Sequence, residues 1–269
     1  MEKLILITDL HVTSTDDLII GLDPIARLKS VLNHAQAHHG DADAIILLGD
    51  LTHHGRIDQY ERLGAVLNPI PTPLIPMVGN HDRRDRFRAA FPKAPDDGDG
   101  FVQSILDFPQ HRIITLDTLM GPPYPAGQHI GELCEKRMAW LENALSGAEG
   151  RMPLVFMHHP PFSTGIVGMD RIQLRDGDAV LALLAKYKAA HLFCGHIHRT
   201  ISGTTASVPW TMLKSPCHQG VLDMVNPDSS LSIDEPAGYG IALLTDHGVV
   251  CHHQDVGFDQ DIRRDGHST

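Results

Sequence analysis

Short apolar runs recur along the chain, and five of them stop at a polar cluster. Leu4 to Thr8 runs into Asp9-Leu10-His11, Ala44 to Leu48 into Gly49-Asp50, and Leu74 to Val78 into Gly79-Asn80-His81-Asp82. Leu154 to Met157 leads to His158-His159-Pro160, and His191 to Cys194 leads to Gly195-His196-Ile197-His198. A run that is apolar at every position reads as a strand buried on both faces. Polar groups at its end then lie on the carboxyl edge of a sheet, where α/β proteins place their sites.

Between these runs the apolar period becomes helical. Asp23-Pro24 has the form of an N-cap with a first-turn proline, Ile25, Leu28, Leu32 and Ala35 follow at helical spacing, and Gly40 ends the segment. Further helices are expected over about Asp58 to Leu67, from the basic stretch Arg83, Arg84, Arg86 and Arg88, and over about Cys134 to Leu145 and Asp178 to Tyr187. This alternation predicts parallel strands joined by crossover helices. Phe101 to Leu116 reads as two strands turning at Phe108 to His111, while Gly121 to Gly131 and Phe162 to Arg175 read as loops, the first of them structural.

After Thr200 the pattern shifts to short strands at Ile201 to Thr205, Pro209 to Leu213, Gly220 to Val225, Tyr239 to Leu244 and Val249 to His252. These are expected to form a second sheet that flanks the first and closes the core as a sandwich. Residues 1–257 then make one domain, Ser215 to Gly238 a flap over the site or a contact between copies, and residues 258–269 a flexible tail.

Composition narrows the function. A chain of 269 residues with 42% apolar content can bury a full core, and a formal charge of -11 argues against a surface that tracks nucleic-acid phosphates. No stretch has the apolar length of a membrane span, and no signal-like region precedes the strand pattern at Lys3, so a cytoplasmic location is expected. Cys134, Cys194, Cys217 and Cys251 lack metal or disulfide spacing and read as reduced packing residues. The outlying number is 19 histidines, several of them inside the five clusters.

The chemistry on offer is that of metal ligands, since no serine or cysteine nucleophile stands at any of the five ends. In extended chain Asp9 and His11 would point the same way, as would His196 and His198, so each pair can face one ion. The candidate ligands are Asp9, His11, Asp50, Asn80, His158, His196 and His198. His81, adjacent to Asn80, is displaced to a second position that suits a proton donor, and His159 reads as a supporting or loop histidine. A mixed set of imidazoles, carboxylates and an amide suits iron, manganese, zinc or cobalt, whereas magnesium and calcium prefer oxygen alone. The set exceeds the need of one ion, and two ions bridged by the Asp50 carboxylate account for it. Two such cations lower the pKa of a shared water and neutralise a phosphoryl oxygen as it is attacked in line. His53 and His54, in the loop after Asp50, contact substrate or face solvent; the arginines after Asp82 are ion-paired or meet an anionic substrate.

The ordered set of Asp9-Leu10-His11, Gly49-Asp50, Gly79-Asn80-His81-Asp82, His158 and Gly195-His196-Ile197-His198 resembles the calcineurin-like metallophosphoesterase superfamily over most of the chain. The Gly-Asn-His-Asp form and the wording around His158 and His196 are similar to bacterial class III cyclic nucleotide phosphodiesterases and glycerophosphodiesterases. A protein serine/threonine phosphatase would carry Glu where Asp82 stands and an arginine soon after Asp50. The resemblance implies an α/β fold, a four-layer αββα sandwich of two mixed β-sheets flanked by helices, around a dinuclear centre. It implies Asp9, His11, Asp50 and His198 on one ion, Asp50, Asn80, His158 and His196 on the other, and His81 as catalytic histidine. His218, in the segment after the last cluster, is a further substrate-binding candidate beside His53 and His54. The implied activity is hydrolysis of small phosphodiesters by a homo-oligomer, dimer or higher. A phosphomonoesterase is the rival in the same class, and a metal-binding module without catalysis the rival outside it.

Overall fold

The computed structural model describes residues 1–125 and 129–257; the expected tail at 258–269 lies outside them. The first three apolar runs become β1 (Glu2–Ile7), β2 (Ala44–Leu47) and β3 (Leu74–Pro76), paired in parallel in that order. The crossovers are α1 (Pro24–His39) and α2 (Ile57–Leu67), and α3 (Arg84–Ala90) follows β3. The start of α1 is the one its sequence specifies: the Asp23 carboxylate accepts the N–H groups of Ile25 at 2.9 Å and Ala26 at 3.3 Å.

A second sheet begins earlier than the pattern suggested. β4 (Ser104–Asp107) and β5 (His111–Leu116) form an antiparallel pair; β6 (Met152–Met157) adds in parallel after α4 (Glu135–Ser146), and β7 (His191–Cys194) after the short α5 (Val167–Asp170) and α6 (Gly177–Lys186). The five polar clusters therefore come from two sheets, three from the first and two from the second. The late strands do not form a sheet of their own. β8 (Ile201–Thr205) and β9 (Val208–Met212) extend the second sheet beside β7. β10 (Gln219–Gly220) and β11 (Ser232–Ile233) form a separate two-stranded piece, and β12 (Ala237–Thr245) and β13 (Gly248–Val256) return to the first sheet along β1. The physical reason is the open edge of β1, whose backbone groups need partners that only a late strand supplies. The expected strand from Gly220 to Val225 gives way to a turn in which Asp223 accepts the N–H groups of Val225 and Asn226.

Alternate residues of each strand enter different layers. Ile5, Ile7, Ile45 and Leu47 pack with Leu28 and Leu32 of α1 and Leu63 of α2. Leu4, Leu6 and Ile46 face the other way and meet Leu154, Phe156 and Phe193 between the sheets, where the two phenyl rings stack at 4.8 Å. Val155, Met157 and Leu192 then pack on Leu141 of α4 and Leu184 of α6. The order helix, sheet, sheet, helix is the four-layer sandwich, with the carboxyl ends of β1, β2, β3, β6 and β7 gathered at one end.

The basic stretch resolves into separate partners. Arg84 is buried and grips Asp117 with two hydrogen bonds, at 2.7 and 2.8 Å, while Asp117 also accepts the N–H groups of Val102 and Leu119. Removing one partner leaves a buried guanidinium uncompensated, so Asp117→Ala is expected to lose on the order of 3–5 kcal/mol. Calorimetry should then record a Tm lower by roughly 10 °C. A drop within ~2 °C would show the pair to be no stronger than a surface contact.

Candidate metal centre

Five of the seven candidate ligands have left-handed backbone: Asp9 at φ 55°, His11 at 46°, Asp50 at 47°, His196 at 71° and His198 at 54°. The expected reason for the shared direction of Asp9 and His11, alternation along extended chain, is therefore replaced. β1 and β2 end one residue earlier than expected while β7 ends at Cys194 as expected, and in each case the candidate ligands sit beyond the strand on tight turns that non-glycine residues adopt at a cost of about 1–3 kcal/mol each. Hydrogen bonds between the clusters hold these turns. The Asp9 N–H donates to the Gly49 carbonyl at 3.1 Å, the His11 N–H to the Asp50 carbonyl at 2.9 Å, and the His196 N–H to the Asp9 carboxylate at 3.0 Å. Asp82 ties the second and third clusters together, accepting from the N–H groups of Leu51 and Gly79 and from the Tyr60 hydroxyl. It is buried among these donors rather than paired with the arginines that follow it.

The third cluster approaches the second so closely that Gly79 has no room for a side chain. A Cβ there would collide with the Asp50 carboxylate and stand 2.8 Å from Nε2 of His158. Gly79→Ala is expected to destabilise the fold by about 1–3 kcal/mol and to weaken metal binding, because the least costly relief is a shift of Asp50. Titration of the apo-protein with Mn2+ reads this; unchanged affinity would show that the cluster moves without disturbing the ligands.

The side chains converge. Ligand atoms of Asp9, His11, Asp50 and His198, all buried, lie within 4.8 Å of one another. His11 Nε2 is 3.1 Å from His198 Nε2 and 3.6 Å from Asp50 Oδ2, and His198 Nε2 is 3.3 Å from Asp9 Oδ1. On the other side His158 Nε2 stands 3.2 Å from Asp50 Oδ2 and 3.2 Å from Asn80 Oδ1, and the His196 ring is centred 5.2 Å from that of His158. Asp50 shares less than its two oxygens. Oδ1 accepts the His81 N–H at 2.8 Å, so Oδ2 alone lies between the imidazoles of the two sets.

Three of the four imidazoles also have one nitrogen fixed from behind. His158 Nδ1 donates to the Leu48 carbonyl at 2.8 Å, His198 Nδ1 to the His218 carbonyl at 2.9 Å, and His196 Nε2 to the Ile172 carbonyl at 3.0 Å. A carbonyl only accepts, so these contacts assign the tautomer and turn the other nitrogen's lone pair inward. Lone pairs and carboxylates facing a common space repel unless positive charge lies among them.

The titration behaviour of the protein alone expresses the same demand. Burial opposes charge on Asp9 and Asp50, yet His198 beside the first and His158 beside the second hold Asp9 below and Asp50 well below the usual carboxylate range. Burial pushes His158 down, and the Asp50 carboxylate more than reverses this, to about 9; Asp9 raises His198 in the same way. His11 is driven well below its ordinary value by burial and His81, and His196 to about 3 by burial and His158, so both stay neutral. Raised imidazoles at His158 and His198 beside lowered carboxylates at Asp9 and Asp50 mark a place where the side chains call for positive charge. The donor set fits transition-metal cations, which supply the same charge to nitrogen and oxygen together.

His81, His53 and His218 ring this centre. His81 lies 4.7 Å from His11 between ring centres, and its Nδ1 donates to the His53 carbonyl at 2.7 Å. The His53 ring stacks on His81 at 5.4 Å, and its Nδ1 lies 3.1 Å from that of His11. The buried His218 ring is 4.5 Å from His198, its Nδ1 without a partner among the described residues. These three line one cavity of about 320 Å3 with Asp50, Asn80 and His198. His54 is exposed and lines a neighbouring cavity instead. The loop before α4, expected to be structural, contributes His129, whose Nδ1 accepts from Asn80 Nδ2 at 2.8 Å and leaves the amide oxygen toward His158. No spacing in the sequence pointed to it. His159 packs behind His158 and His196 with its Nδ1 2.7 Å from the Thr118 hydroxyl. Segment 215–238 reaches the site through Ser229 to Ser232 on the cavity wall and through Ser215, whose hydroxyl donates to the Asp9 carbonyl at 2.6 Å.

Known proteins resemble the chain in sequence and in fold. The chain is 38% identical over 259 residues, 96% of its own length and 93% of the relative's, to a "probable cyclic nucleotide phosphodiesterase" of Rhodopseudomonas palustris. It is 31% identical over 225 residues, covering 79% of each chain, to the glycerophosphodiester phosphodiesterase GpdQ of Enterobacter lignolyticus. Among solved structures, a dimetal phosphatase from Danio rerio superposes with a TM-score of 0.72 at 15% identity, over 94% of this chain and 96% of that one, a likeness of fold. Residues 2–200, which hold all five clusters, match the family described as calcineurin-like phosphoesterase, and to that family the chain belongs.

Proposed function

We propose that the protein is a hydrolase of small phosphodiesters, cyclic nucleotides or glycerophosphodiesters, that works with two divalent or mixed-valence cations drawn from iron, manganese, zinc and cobalt. Asp9, His11, Asp50 and His198 would hold one cation and Asp50, Asn80, His158 and His196 the other. Bound cations of this kind supply a nucleophilic water near neutral pH and neutralise charge on the phosphoryl oxygens. The observation that carries the reading is Asp50 Oδ2, 3.6 Å from His11 Nε2 and 3.2 Å from His158 Nε2, with Oδ1 already engaged by the His81 N–H.

The remaining work falls to the protein. His81, oriented by the His53 carbonyl, presents Nε2 toward the cavity, and a protonated ring there delivers its proton to the departing ester oxygen. His53 and His218 line the same cavity and are placed to bind the phosphate oxygens. Opposite them Ile19, Ile20, Met169, Ile172 and Leu231 form an apolar wall that excludes water and suits an organic ester group. A cavity of about 320 Å3 and a net charge of -11 favour a small diester over a polynucleotide.

The same reading takes residues 1–257 as one metallophosphoesterase domain. It assigns 215–238 to a cap over the site or to contact between copies, the latter in keeping with the exposure of Leu222, Met224 and Val225. All four cysteines are free, in keeping with a reducing cytoplasm, and among the described residues no helix is long and apolar enough to cross a membrane. The test is a parallel assay of metal-reconstituted protein on 3′,5′- and 2′,3′-cyclic nucleotides, glycerophosphodiesters and a phosphomonoester. A kcat/KM for a diester at least ~10-fold above the monoester is expected. The reverse order would make it a monoesterase, and no turnover with both metals bound would reject hydrolysis.

A further inference from the structure

A second cavity, of about 290 Å3, adjoins the first, and Asn80, His81 and His129 line both. The two differ in chemistry. The first has apolar lining from Ile20, Met169 and Leu231 and no cationic side chain besides its histidines, whereas the second combines apolar lining from Leu119, Met120 and Ile130 with the guanidinium of Arg83. Arg84 is paired with Asp117 and Arg88 with Asp96, whereas among the described residues neither Arg83 nor Arg86 has a carboxylate partner; Arg86 donates to the Gly55 carbonyl, and of the two only Arg83 lines the cavity. Its guanidinium lies 4.6 Å over the Tyr124 ring, and Nη1 donates to the Asp82 carbonyl at 2.8 Å. Half-buried, stacked and held at one end, it keeps N–H groups for a ligand in a fixed place.

A phosphodiester carries two ester arms, and the residues shared by the cavities stand where its phosphorus would be held. Resting on the hydrolase reading above, we propose that one arm occupies the apolar cavity and the other the Arg83 cavity, and that the second arm ends in an anion. The class of substrate is a diester with one organic arm and one arm terminated by a carboxylate or a phosphate, which takes the glycerophosphodiester side of the reading above, since a cyclic nucleotide carries both ester bonds on one sugar. Arg83 is the specificity-determining residue, because a planar guanidinium binds both anions through paired N–H groups and a neutral terminus leaves them unanswered.

The test reads binding rather than turnover. Three methylphosphonate monoesters with equal arms, ending in carboxamide, carboxylate or phosphate, are titrated by calorimetry into the metal-loaded full-length protein. The anionic arms are expected to bind about tenfold more tightly than the amide, and whichever anion binds best names the terminus. Arg83→Gln should bring the ratio close to one, while Arg83→Lys, which keeps the charge but not the fork, should retain part of it. Equal affinity of the three probes for the wild-type protein overturns the proposal without recourse to any variant, as does a preference that survives Arg83→Gln. Failure of every diester in the turnover assay, with the tenfold ratio intact here, would reject hydrolysis and leave this cavity assigned.

Discussion

Asp50→Ala is expected to lower turnover of every diester by on the order of 10³-fold or more and to leave the purified protein with fewer than two cations per chain. The size of the effect follows from the position of Oδ2, 3.6 Å from His11 Nε2 and 3.2 Å from His158 Nε2, imidazoles of the two proposed ligand sets. Deleting it removes a donor from each side and half of the paired carboxylate charge that opposes His158 and His198. Asp50→Asn separates shape from charge. The amide can still accept the His81 N–H through its oxygen and fill the same volume, so a variant that folds as the wild type yet loses metal locates the effect in charge. Metal content after gel filtration and kcat/KM on the same sample decide the matter. Full activity in metal-free Asp50→Ala would end the bridging assignment.

The sequence made the convergence of the candidate ligands legible because chemistry and position coincided: five apolar runs, each ending in a group able to bind a metal. It made the helix starts legible for a similarly local reason, as at Asp23-Pro24, where a capping carboxylate and a fixed proline φ specify one turn. What it concealed was set by contacts between distant segments. A strand apolar on both faces, such as β6, carries no mark of the sheet it joins, so the division of the clusters between two sheets could not be read. The late strands were assigned to one layer for the same reason, although β12 completes the edge of β1 through register pairs such as Ile5 with Ile241. The left-handed turns at Asp9, His11, Asp50, His196 and His198 were hidden because residue type favours extended or helical backbone at each. Only the hydrogen bonds that join one cluster to the next hold them in that conformation. His129 was concealed more thoroughly, as a lone loop histidine whose role exists only where its ring meets Asn80.

His81→Ala tests the departing side of the reaction, and its signature lies in selectivity more than in overall rate. The side chain is outside the proposed ligand set, and its backbone N–H, which holds Asp50 Oδ1 at 2.8 Å, survives the substitution. Both cations should therefore stay bound. What disappears is a proton donor, whose contribution is typically 10²–10⁴-fold and grows with the basicity of the leaving oxygen. An alkoxide such as glycerol must be protonated as it departs, whereas a nitrophenolate leaves without help. Turnover of alkyl diesters should thus fall by roughly 10²–10³-fold and that of nitrophenyl diesters by less than about tenfold, giving a steeper dependence of log kcat on leaving-group pKa in the variant. Equal slowing of both classes would move His81 from proton donor to electrostatic support of the phosphate. In that case His53 and His218, which share the cavity, become the candidates for the proton.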